Sequence, residues 1–215
     1  MKNEQQKQEK AKSPLALAWR EFKKNKLAMA GIVVILLVTL SAIFAPVITP
    51  HSPSQTDILH TQEAPSAEHW LGTDKVGRDV FTRLIYAGRV SIMVGLISMS
   101  ISVTLGTIMG LLAGYFGGLV DTLIARLIDI FRSIPFIIIA ITIASIWGPG
   151  LYKLMVIIGI FSWTGVARLV RGKVFSLRER EFIQAARASG GTDLWIMLKH
   201  LLPNSIAPII VNATL

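Results

Sequence analysis

Apolar and polar positions along the chain fall into long alternating blocks. The first apolar block, Leu27 to Val47, carries no charge, and as a helix it reaches about 30 Å, enough to cross a bilayer. A second covers Val90 to Ala113. A third covers Leu123 to Trp147, with Asp129 and Arg132 in its first half and Pro135 as a predicted kink. A fourth, Leu151 to Leu169, follows the third directly through Gly148-Pro149-Gly150. A fifth starts near Ile206 and reaches only Leu215, roughly half a bilayer. The pattern predicts an all-α, polytopic membrane protein with four complete transmembrane helices and the start of a fifth. The first block reads as an uncleaved anchor. The basic stretch before it is long, the block exceeds a signal-peptide core, and Pro46 follows the only nearby small-residue cleavage pattern.

The segments between the blocks have their own character. Residues 1–26 form a basic amino-terminal segment, with a polar, frayed leader from Asn3 to Lys12. Residues 48–89 form a loop, extended from Pro50 to Trp70, and Asp79 opens a short surface helix through Arg89. The remainder, 90–215, contains helices over about 90–113, 123–147 and 151–169, a polar loop over 170–204 and an incomplete helix over 205–215. In that loop Ser176-Leu177-Arg178-Glu179 is a capping box predicting a helix start. Gly190-Gly191 stops that helix, Thr192 or Asp193 caps a second one from Leu194, and Pro203 ends it after Leu202.

Composition narrows the class. The chain has 22 Lys and Arg against 13 Asp and Glu, a net charge of +9, yet only 16% of its residues are charged and 52% are apolar. Disorder is excluded by that apolar content, and a nucleic-acid binder would spread its basic residues over a polar surface. The chain has no cysteine, which removes disulfides and thiolate chemistry. The charge is also unevenly placed: residues 1–26 carry +5, 168–204 carry +4 and 48–89 carry −1. Four spans place the first two segments on one side, and basic segments mark the cytoplasmic side. The short connection Gly114 to Val120 falls on that side without a basic residue.

Several residue patterns invite a chemical reading. Ser98, Ser102, Gly106, Gly110 and Gly114 recur every fourth residue, a row that lets two helix backbones approach closely in lipid. Arg126, Asp129 and Arg132 recur every third residue inside the third block. They could form an ion relay, but (i, i+3) pairs steadying one end of a helix are the simpler reading. His51, His60, His69 and His200 show no metal-binding spacing, so no metal site is expected. Asp74 and Asp79 sit near no hydrolase motif. Gly172-Lys173 lacks the glycine and hydroxyl of a phosphate loop, since Ala167 and Val174 stand there. If the chain serves an ATP-driven process, the ATP is bound by another polypeptide, and the chain itself is expected to be neither an enzyme nor a cofactor carrier. The face of the first loop helix, Phe182 followed by small residues, suits either a groove on a partner or the membrane surface.

Gln184-Ala185-Ala186, three residues, Gly190, nine residues, His200 and then Leu202-Pro203 resembles the cytoplasmic EAA loop of ABC importer permeases. Gln184 stands where glutamate is usual and His200 where an aliphatic is usual. His69-Trp70-Leu71-Gly72-Thr73-Asp74 with Gly77-Arg78-Asp79, Ala113-Gly114-Tyr115-Phe116-Gly117-Gly118, and Arg126 and Asp129 followed by Pro135 resemble the second permease of dipeptide, oligopeptide and nickel importers. The resemblance implies a subunit of the bacterial cytoplasmic membrane, with its amino terminus inside, that forms part of a peptide translocation pathway. It implies a second permease subunit, two ATPase subunits inside and a peptide-binding protein outside. It assigns ATPase coupling to Phe182, Gln184, Ala185, Ala186, Gly190, Leu202 and Pro203. Such permeases have six membrane helices, so the resemblance implies the first two-thirds of one, unable to build a pore alone. An ion-coupled carrier using Asp129 is the rival reading.

Overall fold

A computed structural model describes residues 22–214. The leader Asn3 to Lys12 and the basic residues before position 22 lie outside them. The described residues are helical, with no strand beyond an isolated bridge between Thr73 and Asp79. Contacts divide them into two compact units, one ending at Ile92 and one beginning at Met93.

The first unit opens with α1 (Lys26–Ile43), whose N-cap Asn25 accepts a hydrogen bond from the Ala28 amide at 3.1 Å. The side chains from Ile32 to Val38 are exposed, as a lipid-facing helix requires. A short α2 (Ala45–Ile48) follows, with Pro46 in its first turn, where the missing N–H removes no helical bond. Burial begins only at Ala42 and Ala45.

The loop that follows, predicted to be extended, folds back on itself around one 3₁₀ turn (Ile58–His60). The Thr73 hydroxyl donates to the His60 carbonyl and accepts the Glu63 amide at 2.9 Å. Asp74 accepts the amides of Val76 and Arg78, both at 3.0 Å, and pairs with the guanidinium groups of Arg78 and Arg83. Burial pushes its carboxyl up, but the two amides and Arg78 outweigh that and hold it at about 2. Asp79 caps the next helix by accepting the Thr82 amide at 2.6 Å.

That helix, α3 (Val80–Phe116), is continuous for 37 residues, about 55 Å. The separate surface helix predicted through Arg89 is therefore its first turns: Gly88 alone does not interrupt it. In the second unit, α4 (Gly118–Ser133) and α5 (Phe136–Trp147) bend by 78° at Ile134-Pro135. The predicted kink is thus a full break. Proline drives the preceding residue out of helical geometry, and Ile134 is extended (φ −102°, ψ 126°).

α6 (Leu151–Arg178) runs nine residues past the predicted end of its span. The capping box at Ser176 does not start a helix; its hydroxyl donates to the Lys173 carbonyl at 2.9 Å inside α6. Val174 and Leu177 are buried, and their packing carries the helix through the local start signal. α7 (Glu181–Ala188), α8 (Asp193–Ile196), a π turn (Met197–Leu201) and α9 (Leu202–Thr214) complete the described chain. Pro203 does not end a helix. The Leu202 amide bonds to the Met197 carbonyl, five residues back, and this wider turn lets the run continue where a regular one would clash with the proline ring. The predicted break before Ile206 is absent, and Asp193–Asn212 forms one apolar run of 20 residues.

Four helical runs are long and apolar enough to cross a membrane: Lys26–Ile43, Val80–Phe116, Leu151–Arg178 and Asp193–Asn212. Helices α3 and α6 pack through the row of small residues. The Ser98 hydroxyl donates to the Met155 carbonyl at 2.8 Å. A Cβ added at Gly106, Gly110 or Gly114 would lie 2.5–2.7 Å from the Cβ of Val166, Val170 or Val174 respectively. Partners advance together along both helices, so the two run parallel. Ser102 is buried within the same row. Arg126, Asp129 and Arg132 are exposed, and among the described residues no ion pair joins them, which corrects the predicted (i, i+3) pairs. Asp121 instead pairs with Arg171 of α6, whose Nη2 donates at 2.7 Å.

Candidate functional site

The sequence-derived coupling residues collect on α7, the turn after it and the start of the last helical run. Alternation of burial positions α7. Ile183 is fully buried in a cluster with Ile196, Met197 and Leu201, and Ala186 packs against that cluster. Phe182 and Ala185 therefore face outward, Phe182 with 42% of its surface exposed. Gln184 is also exposed, and its side-chain amide donates to the Glu179 carbonyl at 3.2 Å.

The turn is a Schellman motif. The Gly190 amide donates to the Arg187 carbonyl at 2.9 Å and the Gly191 amide to the Ala186 carbonyl at 3.0 Å, with Gly190 at φ +82°. Thr192 then caps α8 by accepting the Trp195 amide at 3.4 Å. Together these elements wall an open groove of about 600 Å³, lined by Phe182, Ala185, Gly190, Trp195 and His200 among others. His200 stands 4.7 Å from Trp195 and 6.3 Å from Phe182 between ring centroids. Leu202 packs against the buried cluster beneath, whereas Pro203 is exposed beyond the groove.

The groove is tied to the long helices by contacts that sequence reasoning did not identify. The buried Tyr115, one residue from the end of α3, donates its hydroxyl to Asp193 Oδ1 at 2.6 Å. The Arg187 guanidinium lies over the Tyr115 ring, 4.8 Å from its centroid. From the end of α6, Arg178 donates to the Gly114 carbonyl at 3.3 Å and to Glu179 at 2.9 Å. Tyr115 and Asp193 are 78 residues apart, so no local pattern pairs them. A tyrosine just before Gly117-Gly118 was the available signal.

The histidines have no metal-binding spacing along the sequence, but the fold brings two of them together with an aspartate. His51, His69 and Asp79 bring ligand atoms within 4.8 Å of one another. His60 instead pairs with Asp57 at 2.8 Å, and His200 lies in the groove described above.

Residues 106–215 match the family described as binding-protein-dependent transport system inner membrane component. Residues 13–65 match the N-terminal TM domain of oligopeptide transport permease C. Among curated relatives, the dipeptide transport system permease protein DppC of Alkalihalophilus pseudofirmus is 47% identical over 95% of this chain and 67% of its own length. DppC of Bacillus subtilis is 40% identical over 92% of this chain and 62% of its length. The oligopeptide transport system permease protein OppC of Bacillus subtilis is 34% identical over 95% and 68%. The chain thus spans roughly two thirds of each relative's length. These matches give no support to the ion-coupled carrier built on Asp129. The apolar helical runs, the loop at Gly190 and both family matches place the chain in the binding-protein-dependent permease family, as a multi-pass membrane protein of its dipeptide and oligopeptide C-type branch.

Proposed function

We propose that this chain forms one side of the translocation pathway of an ATP-driven peptide importer and takes its motion from ATPase subunits at the α7 groove. The observation that carries this reading is the build of the groove. Its outer wall exposes Phe182 beside the small Ala185 and Gly190, while its inner side is anchored by Ile183 and bound to α3 through Tyr115 and Asp193. A push on such a surface moves the ends of α3 and α6 with it, because packed elements transmit displacement as bodies.

The remaining parts follow. A related permease subunit forms the other side of the pathway, two ATPases bind and hydrolyse ATP on the cytoplasmic side, and an extracytoplasmic peptide-binding protein delivers cargo. This chain performs no hydrolysis. Its amino terminus and the groove face the cytoplasm, in keeping with the basic residues flanking both. Peptide cargo is supported by the names of the relatives.

Gly190→Asp tests the coupling role within the assembled transporter. Among the described residues, a Cβ at Gly190 meets no atom within 4 Å beyond its chain neighbours, so the fold loses only about 1–2 kcal/mol from the left-handed backbone angle. The added carboxylate projects where the partner would sit. The expected result is normal membrane insertion with peptide uptake abolished; normal uptake would overturn the assignment.

A further inference from the structure

The coupling reading makes no use of the loop before α3, where three metal-ligating side chains converge. His51 follows the end of α2, His69 lies in the middle of the loop and Asp79 caps α3. Each brings a ligand atom within 4.8 Å of the other two. His69 Nδ1 is 3.0 Å from Asp79 Oδ2, and the His51 and His69 rings lie 4.9 Å apart between centroids, tilted by 32°. The Asp79 side chain is only 4% exposed and the His69 side chain 13%. Asp79 Oδ1 is held by the Thr82 amide, so the carboxylate is fixed in orientation. These groups border a cavity of about 100 Å³ whose wall also carries Asp57, His60, Glu63 and Glu68.

A capping aspartate braced by one histidine would explain His69 and Asp79 alone. His51 Nε2 lies 3.2 Å from the Glu68 carbonyl, which steadies its ring but does not require it to stand against His69, on the wall of a cavity with four carboxylates and no lysine or arginine among its lining residues. We propose that His51, His69 and Asp79 form a binding site for a divalent transition-metal ion of the zinc class. Two imidazoles and a carboxylate suit Zn²⁺ and its neighbours, whereas Mg²⁺ and Ca²⁺ favour all-oxygen sites. Two ligands on one tetrahedral zinc ion lie about 3.4 Å apart. The present 3.0 Å between His69 and Asp79 is close to that spacing, so the ion replaces the proton they share. His51, half-buried and outside the helices, closes in as the third ligand, and the fourth position opens on the cavity. The bound ion would fasten the stretch after α2 to the first turn of α3.

The probe is Zn²⁺ itself, titrated calorimetrically into the detergent-purified full chain after chelator treatment, with no histidine tag. One saturable site per chain is expected. His51→Gln should weaken it roughly tenfold or more, with an unchanged circular-dichroism spectrum showing that the helices persist. His200→Gln should leave binding as it was, and excess Mg²⁺ should not compete. Co²⁺ in place of Zn²⁺ should give the visible absorption of a four-coordinate ion, lost in His51→Gln. Absence of saturable Zn²⁺ binding by the wild-type chain, or undiminished binding by His51→Gln, would overturn the proposal.

Discussion

Gly190 adopts φ +82° beside open space, so backbone freedom rather than room explains glycine there. This role was legible beforehand, because a double glycine after a short amphipathic helix is a stop signal with a known geometry. Ile183 was not singled out, although its burial is what turns Phe182 and Ala185 outward. The convergence of His51 and His69 was hidden for a different reason: 18 residues separate them in a loop whose path is set by side-chain hydrogen bonds rather than by periodicity. Asp74 supplies much of that bonding. Its carboxyl is held at about 2, below the usual 3.8, so its contribution is present above about pH 4 and is lost as pH falls through about 2. Hydrogen exchange at the Val76 and Arg78 amides, which donate to Asp74, should show protection falling across that window. Asp74→Asn should remove the pH dependence, and flat wild-type protection between pH 5 and 2 would contradict this account.

Helices α3 and α6 run parallel because the chain returns through α4 and, after the bend at Ile134-Pro135, through α5 before α6 begins. The four-residue row on α3 was visible in the sequence as a packing face, but its partner was not, since nothing local pairs Gly106, Gly110 and Gly114 with Val166, Val170 and Val174. Helix ends were the least legible feature. The start signal at Ser176 and the stop signal at Pro203 are both overridden, one by burial of Val174 and Leu177, the other by the π turn at Met197–Leu201. The tightness of the α3–α6 contact has a direct test. A Cβ at Gly110 would lie 2.6 Å from the Ala167 carbonyl and 2.7 Å from Val170 Cβ, whereas one at Gly165 of α6 meets nothing within 4 Å. Gly110→Leu should lower the thermal unfolding midpoint in detergent, in line with an overpacking cost of about 1–3 kcal/mol or more. Gly165→Leu should leave it nearly unchanged. Equal midpoints for the two variants would refute close packing along the row.

At the scale of the whole molecule, the +9 charge is a map rather than a general affinity for acids. Its two positive concentrations are the amino-terminal segment and residues 168–204, and the second encloses the groove. The apolar surface of α1 and α5 is left exposed among the described residues, as lipid-facing helices require, while burial concentrates where α3, α6 and the α7–α8 region meet. A closely packed junction beneath an open groove is the arrangement expected of a part that receives force from a partner. The absence of native cysteine makes that claim directly measurable. In membranes containing the assembled transporter, a photoreactive cross-linker on Ala185→Cys should join this chain to the ATPase subunit, with a yield that changes on ATP addition. The same probe on Val34→Cys, at the exposed face of α1, should give no such adduct. No ATPase adduct from position 185, or equal adducts from both positions, would contradict the account.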